Sequence, residues 1–429
     1  MSTLSSAVIV RPFALKQKRY KHALFLNPYI ENSGTSVMGI FPPTGLEYVA
    51  ASAEPYVDKI TVLDLRYETE LCDTDKLREF ILSSGIDIIC VTIGWDRQYD
   101  EILDLLNSLP PEIPLVVGGY KATEQVDDLF EKCPGIDLIV RGEGEETIRE
   151  ILGGSSPEDI LGISYRRGAE IEHNANRPLS DVDTIFPPNR SLRRNKYRIK
   201  LSGMNISDMT FDSVLSARGC PFTCKFCTFS LNPLGQKRKY SERSVVSVVD
   251  EIEKIDASTI LFSDDNFFTN VKRAAAICDM IIARKIKKRF IAQARIEIAK
   301  DTELLKKMVK AGFKVLFMGI ESPHDRILEG MDKGFDSREI RECFDVLRKY
   351  PIYYHGYFIY GNIGETEEEM LYIAKFAREI GLDSITFQKL RIEKYSMLRK
   401  LAESTAGYHV TARGELFSDK YSHAALKKI

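Results

Sequence analysis

The feature that most constrains the fold is an alternation of short apolar runs with amphipathic stretches, which occurs in two separate series. Runs too short to be buried helices, spaced by stretches of helical period, read as βα units, and successive units build a parallel sheet. In the first series the apolar runs are 22–28, 60–65, 86–93, 114–117 and 137–140, and the helical stretches are 44–57, 73–83, 99–109, 122–131 and 145–152. The second series has strand candidates at 213–216, 259–262, 289–294, 314–319, 353–359 and 384–388, with helix candidates at 241–255, 270–286, 301–311, 337–349 and 366–380. Between them the pattern weakens around Pro178, Pro187 and Pro188, where a strand at 161–165 and a turn at Arg167-Gly168 predict a small hairpin. The reading divides the chain into an α/β domain at 20–155, a linker at 156–211, a second βα domain at 212–390 and a short extension at 391–429, helical over 389–403.

A chain of 429 residues can bury the cores of two or three domains. With 60 Lys and Arg against 62 Asp and Glu, the net charge of -2 points to no nucleic-acid partner. The basic run Arg190, Arg193, Arg194, Lys196, Arg198 and Lys200 reads as a solvated connector salted against neighbouring carboxylates. No apolar run reaches the ~18 residues that span a bilayer. The N-terminal apolar patch has no charged region before it, unlike a signal peptide, so a cytoplasmic protein is expected.

Five cysteines, Cys72, Cys90, Cys133, Cys278 and Cys343, are scattered, as buried thiols in a reducing compartment are. The other three, Cys220, Cys224 and Cys227, stand in Ala-Arg-Gly-Cys-Pro-Phe-Thr-Cys-Lys-Phe-Cys. Thiolate is the ligand that iron–sulfur clusters prefer, and three thiolates on a [4Fe-4S] cubane leave one iron without a protein ligand. The CxxxCxxC spacing differs from the CxxC pairs of zinc ribbons and from the four-cysteine run of bacterial ferredoxins. The alternatives are a structural zinc site short of its fourth ligand, or three unrelated core cysteines.

Around this run the chain resembles the radical S-adenosylmethionine (SAM) superfamily, and Phe226, just before the third cysteine, fits its pattern. The resemblance implies that Cys220, Cys224 and Cys227 hold the cluster. The open iron would chelate SAM, and one electron would cleave SAM to methionine and a 5′-deoxyadenosyl radical. It implies that the second βα series is an open, partial (β/α)6 barrel whose strand ends carry the site. Asp264 and Asp265 would then be acceptors for the methionine ammonium, and Arg295 a partner for its carboxylate. Glu321 would bond the ribose or the amino group, while Gly361 and Gly364 would let the backbone pass close to adenine. Asp301 and Thr366 read as helix caps. Beyond the sixth strand, the Pro-Gly-Thr of many relatives is replaced by Arg391-Ile392-Glu393-Lys394-Tyr395-Ser396.

Five βα units of this length suit a flavodoxin-like, doubly wound first domain with its ligand at the carboxyl ends of the strands. The loops at those ends are 27–41, Thr92–Asp96 with the single tryptophan Trp95, Gly118-Gly119-Tyr120-Lys121-Ala122-Thr123, and Arg141-Gly142-Glu143-Gly144-Glu145. Glycine pairs admit a bulky ligand to the backbone. These elements resemble the cobalamin-binding domain that precedes many radical SAM modules, which implies corrin contacts at Thr92, Trp95, Gly118, Gly119, Arg141, Gly142 and Glu143. The DxHxxG motif that gives cobalt a histidine is absent. After the first strand the chain reads Pro28-Tyr29-Ile30-Glu31-Asn32-Ser33-Gly34, so a corrinoid would be held base-off. Trp95 either lies against the lower corrin face or packs a domain interface. A degenerate module that has lost its ligand is the bland alternative.

Taken together, the resemblance implies a cobalamin-dependent radical SAM methyltransferase that moves methyl from SAM via methylcobalamin to an unactivated carbon. Its cofactors would be a [4Fe-4S] cluster, SAM and cobalamin. Its partners would be a low-potential electron donor of the flavodoxin or ferredoxin type and a bulky substrate. Many relatives carry a large extra C-terminal domain, and the short extension suggests a lightly covered barrel mouth. A protein side chain is favoured, such as the glutamine of methyl-coenzyme M reductase that one member modifies, over a lipid or natural product. The rivals are a non-methylating, ring-forming or rearranging radical SAM enzyme, and a cobalamin or redox sensor. Tyr29, Trp95, Tyr357, Tyr360 and Tyr395 are candidate lining aromatics.

Overall fold

The computed structural model describes residues 20–30, 40–201, 204–227, 231–393, 395–411 and 414–419, without the side chains of 200, 201 and 204–206. Readings made at the N-terminal patch, at Glu31, Asn32, Ser33 and Gly34, at Lys394, and on the side chain of Lys200 fall outside the described residues. The chain divides after Asp208 into two compact units.

The first unit runs β1 (Tyr20–Asn27), α1 (Thr44–Ala53), β2 (Val57–Asp64), α2 (Thr74–Ser83), β3 (Ile88–Thr92), α3 (Tyr99–Ser108) and β4 (Leu115–Gly118). It continues through α4 (Tyr120–Glu124), α5 (Val126–Lys132), β5 (Leu138–Val140), α6 (Glu145–Gly153), β6 (Ile163–Arg167) and β7 (Glu170–His173). The sheet order is β2-β1-β3-β4-β5-β6-β7, parallel as far as β5. Its first five strands have the flavodoxin order, which reverses between β1 and β3. Period-two alternation explains why both faces are covered. Leu24 and Leu26 of β1 join one apolar cluster, while Ala23 and Phe25 join the other. The single helix read over 122–131 is two, broken at Gln125, whose backbone leaves the helical region (φ −112°, ψ 36°).

The hairpin at Arg167-Gly168 is present and pairs antiparallel with β5, so it extends the first sheet. The basic run that follows is salted within the unit, with Arg193 Nε 2.5 Å from Glu47 and Arg194 Nε 3.1 Å from Glu68. Tyr197 donates a buried hydrogen bond to Asp64 (3.0 Å).

After β8 (Tyr197–Leu201), strand β9 (Met204–Val214) carries the chain across the division. Two short strands, β10 (Ala217–Arg218) and β11 (Ser241–Glu242), pair antiparallel and close the base of the cysteine loop. There follow α7 (Val245–Lys254), β12 (Thr259–Phe262), α8 (Val271–Ala283), β13 (Arg289–Ala294), α9 (Thr302–Ala311) and β14 (Phe313–Glu321). The array ends with α10 (Asp325–Gly330), α11 (Ser337–Leu347), β15 (Tyr353–Tyr360), α12 (Glu367–Glu379) and β16 (Ser384–Lys389). Strands β9, β12, β13, β14, β15 and β16 lie side by side in chain order, all parallel, as a half-barrel. The expected caps are made: Asp301 accepts from Leu304 N–H (2.9 Å), and Thr366 forms a capping box with Glu369.

One face of this sheet is covered. Leu316, Met318 and Ile320 of β14 belong to the core with the helices, whereas the alternating Val315 and Phe317 are only half-buried. The helix read over 389–403 is shorter, α13 (Leu398–Ser404), and is followed by an unforeseen hairpin, β17 (Tyr408–Val410) with β18 (Leu416–Ser418). No helix among the described residues is long and apolar enough to cross a membrane.

Candidate active site

At the switch point of the first sheet, the loop after β3 is held by the phenol of Tyr29 from the loop after β1. Tyr29 Oη accepts from the N–H groups of Gly94 (3.0 Å) and Trp95 (2.7 Å) and donates to the Trp95 carbonyl (3.1 Å). Burial pushes this phenol up to about 12, so it stays a donor at any working pH. Gln98, at φ 57°, bonds both the N–H and the carbonyl of Ile30 at 2.9 Å. The loop is therefore rigid, yet Trp95 is 59% exposed, and a side chain built on Gly94 would meet nothing within 4 Å. The hydrogen bonds fix the backbone of this loop and leave the indole turned to solvent.

The neighbouring candidates behave differently. Gly119 (φ +105°) must be glycine, because a Cβ there would lie 2.7 Å from the Ile93 carbonyl and 3.0 Å from Thr92 Oγ1. Thr92, Gly118 and Gly119 thus meet at the ends of β3 and β4. Gly142 donates to Thr123 Oγ1 (3.0 Å). Arg141 turns to the β6–β7 side, bonding Asn176 (2.8 Å) and the Ile163 carbonyl (2.9 Å), and Glu143 accepts from Ser180 N–H (3.0 Å). These two charges hold loops together.

In the second unit, Cys220, Cys224 and Cys227 lie on one loop, with Cys224 buried and the others half-buried. Gly219, which precedes them, has φ +88° and no room for a Cβ beside the Lys239 carbonyl (2.7 Å). Burial raises the Cys220 thiol. Among the described residues, no three His, Cys, Asp or Glu side chains converge on a point as a single metal ion requires. Three thiols on one loop are the soft donor set that a cubane takes, one thiolate to each of three irons.

Arg295 Nη1 donates to Cys224 Sγ (3.5 Å), and its guanidinium lies 3.7 Å from the centre of the Phe222 ring. It also bonds Glu297 and the Lys333 carbonyl. Asp264, fully buried, accepts from Ser216 N–H (2.7 Å) and hydroxyl, tying the end of β12 to that of β9. Asp265 accepts from Gly219 N–H (2.7 Å) at the entrance to the cysteine loop. Burial pushes each carboxyl up to about 6. Glu321, at the end of β14, has φ 72° and pairs with Lys333 (3.0 Å). Phe226 packs on a second apolar cluster with Met331 and Ile359. Gly361 (φ +74°) and Gly364 (φ +80°) flank Asn362, and Gly364 N–H donates to Tyr408 (2.7 Å).

The strand ends therefore bring Asp265 and Arg295 against the cysteine loop, while Asp264 bonds Ser216 and Glu321 bonds Lys333. Two participants escape sequence reasoning. Ser216 holds Asp264 in place, and Lys333 reaches the site from a turn more than a hundred positions from the cysteines in the chain. Lys333 sits between Asp332 and Gly334, the composition of an exposed turn. The apolar Met331 and Phe335 around it are the one available hint.

Two family patterns match the chain, one described as "B12 binding domain" over residues 33–152 and one described as "Radical SAM superfamily" over 214–377. An uncharacterized methyltransferase of Pyrococcus horikoshii is 29% identical over 377 residues, 85% of this chain and 79% of that one. The anaerobic magnesium-protoporphyrin IX monomethyl ester cyclase of Cereibacter sphaeroides is 28% identical over 366 residues, 81% of this chain but 58% of the cyclase. Among solved structures, the radical SAM methyltransferase TsrM of Kitasatospora setae has the same fold, with a TM-score of 0.71 at 19% identity over 90% of this chain and 77% of TsrM. The chain belongs to the cobalamin-dependent radical SAM superfamily. It is an enzyme of the methyltransferase type within that family, and its cofactors are a [4Fe-4S] cluster, SAM and cobalamin.

Proposed function

We propose that this enzyme transfers a methyl group from SAM to an unactivated carbon of a bulky substrate, a protein side chain being favoured over a lipid or natural product. When bound, the cluster with SAM supplies a 5′-deoxyadenosyl radical, and the corrinoid supplies the methyl group to be transferred. Cys220, Cys224 and Cys227 are the cluster ligands in this reading. Arg295 donates a hydrogen bond toward one of their sulfurs and steadies the loop. Gly361 and Gly364 keep backbone free of side chains at the end of β15 for the nucleoside. Asp265 keeps Gly219, and with it the loop entrance, in position. Trp95 offers the corrin a face that cannot ligate cobalt and that excludes water from it. The half-buried Phe317, His355 and Tyr357 of the uncovered face of the sheet give a large substrate room and aromatic contacts.

One observation carries the proposal: a single chain joins a three-thiol loop at charged strand ends to a doubly wound domain with an exposed tryptophan at its switch point. The test is anaerobic reconstitution of the full chain with iron, sulfide and hydroxocobalamin, followed by reduction with SAM carrying a CD3 group. Methyl transfer gives both S-adenosylhomocysteine and 5′-deoxyadenosine, with the CD3 intact on the corrinoid and then on product. The similarity to cyclases favours a second reading, ring formation without methylation. Under it 5′-deoxyadenosine appears without S-adenosylhomocysteine. Cys224→Ala abolishes 5′-deoxyadenosine formation and most of the bound iron; a variant that retained full cellular function would instead support a sensor.

A further inference from the structure

The segment that follows the sixth barrel strand is tied to the cysteine loop. Ser396 Oγ donates to the carbonyl of Lys225, which lies between Cys224 and Cys227 in the chain (3.0 Å). The Tyr395 ring lies against Gly235, where a Cβ would be 3.6 Å from it. Gly235 belongs to a tight turn in which Leu231 pairs antiparallel with Lys237, and Asn232 Oδ1 accepts from the Leu234 and Gln236 N–H groups at 3.0 Å. Helix α13 buries Leu398 and Ala402 in the apolar cluster against which Phe226 packs. That leaves Met397, Lys400 and Leu401 on its outer side, three and four positions apart, with Met397 55% and Leu401 46% exposed.

The charge around this surface is of one sign. Between Asp212 and Glu242 the chain carries five Lys and Arg and no Asp or Glu. Two of the five, Arg218 and Arg238, stand near Asp265. The other three, Lys225, Lys237 and Lys239, have no carboxylate partner among the described residues, and neither has Lys400. Lys237, Lys239 and Lys400 are exposed. A basic rim around exposed apolar side chains is complementary to an acidic protein with an apolar centre. Reductive cleavage of SAM consumes one electron, and the chain has one close group of cysteines, so the electron comes from outside it. The apolar centre here matches the dimethylbenzene edge of a flavin, which flavin carriers expose among carboxylates. Redox encounters bury little surface, so a patch of this extent suffices.

We infer that this face, Lys237, Lys239 and Lys400 around Tyr395, Met397 and Leu401, docks an acidic, flavin-carrying electron donor of the flavodoxin type. The inference rests on a cluster at the cysteine loop but not on methyl transfer. One electron passes from the reduced, anionic flavin to the oxidised cluster and leaves a neutral flavin radical; no bond forms or breaks and no proton moves. The test uses the reconstituted full chain without substrate and an acidic flavodoxin, oxidised for binding by calorimetry and photoreduced for stopped-flow reduction of the cluster. Raising the salt from about 0.05 M to about 0.5 M lowers the reduction rate about tenfold or more. Lys237→Glu with Lys239→Glu weakens binding and slows reduction about 10- to 100-fold, whereas reduction by the methyl viologen radical, a small cation, is not slowed. Met397→Gln with Leu401→Gln weakens binding about tenfold and keeps the salt dependence. Charge reversal that leaves flavodoxin binding and reduction unchanged, or that slows methyl viologen equally, overturns the inference, as does a reduction rate indifferent to salt. A dimer in sedimentation that Met397→Gln with Leu401→Gln dissociates gives the face to a second copy and overturns it too. Electron transfer with the expected properties but no methyl transfer upholds the inference and counts against the proposed reaction alone.

Discussion

Both sheets of this protein are built from βα units, yet the first is covered on two faces and the second on one. In β1 every inward position on either side is buried, so no ligand can reach the face of that sheet, and the end of the sheet is all it can offer. There Tyr29 and Gln98 lock a loop that presents one exposed tryptophan. In the second sheet the alternating positions of β14 and β15 stay half-open, and the charges at the strand ends are buried and already paired. The difference teaches where each unit leaves room for a ligand. The first sheet can offer a ligand only the loops at its strand ends, whereas the second keeps one face half-open beside strand-end charges that are buried and paired.

Substitutions can break this contrast, starting with the largest effect. Phe25→Ala, in the two-sided sheet, costs about 3–5 kcal/mol of stability by leaving a cavity, whereas Phe317→Ala on the open face costs about 1 kcal/mol or less. Urea denaturation of the full chain separates the two, and equal losses would mean that the second sheet is covered after all.

Asp264 comes next. Its folded carboxyl sits at about 6, above the ordinary value of 3.8, so the folded state holds the proton more tightly than the unfolded chain does. Protonation therefore stabilises the fold, and that stability is lost as pH rises from about 4 to about 6. The loss is of the order of 3 kcal/mol, and Asp264→Asn removes that share of the slope in denaturation curves across the window, leaving the share owed to Asp265.

Trp95→Ala weakens cobalamin binding by about tenfold, the scale of one lost stacking contact, when corrinoid retention is measured by absorbance after gel filtration. Smallest is Tyr29→Phe, which removes the phenol from two amides and a carbonyl. It costs about 1 kcal/mol in first-unit stability and leaves the cluster's iron content unchanged.

Most of this architecture is legible in the sequence for a simple reason. A parallel strand buried on both faces must be apolar over its whole length, so β3 and β5 stand out as the runs Ile-Ile-Cys-Val-Thr and Leu-Ile-Val. The β17–β18 hairpin is invisible because its strands are three residues long and owe their existence to pairing. The break at Gln125 is hidden for a related reason, since residues of helical composition continue on both sides of it. The identities of Asp264, Arg295 and Glu321 follow from their places after strands, but their partners do not. Ser216, Phe222 and Lys333 reach them through the third dimension, and no spacing rule reports a contact between a strand end and a distant turn.

The exposed indole at the switch point has a practical consequence. Since the chain holds one tryptophan, all of its indole emission arises from that loop. Corrinoids absorb where indole emits, so loading of the first unit is readable as quenching of native fluorescence. The enzyme thus carries its own label, and filling of that position can be titrated anaerobically without substrate.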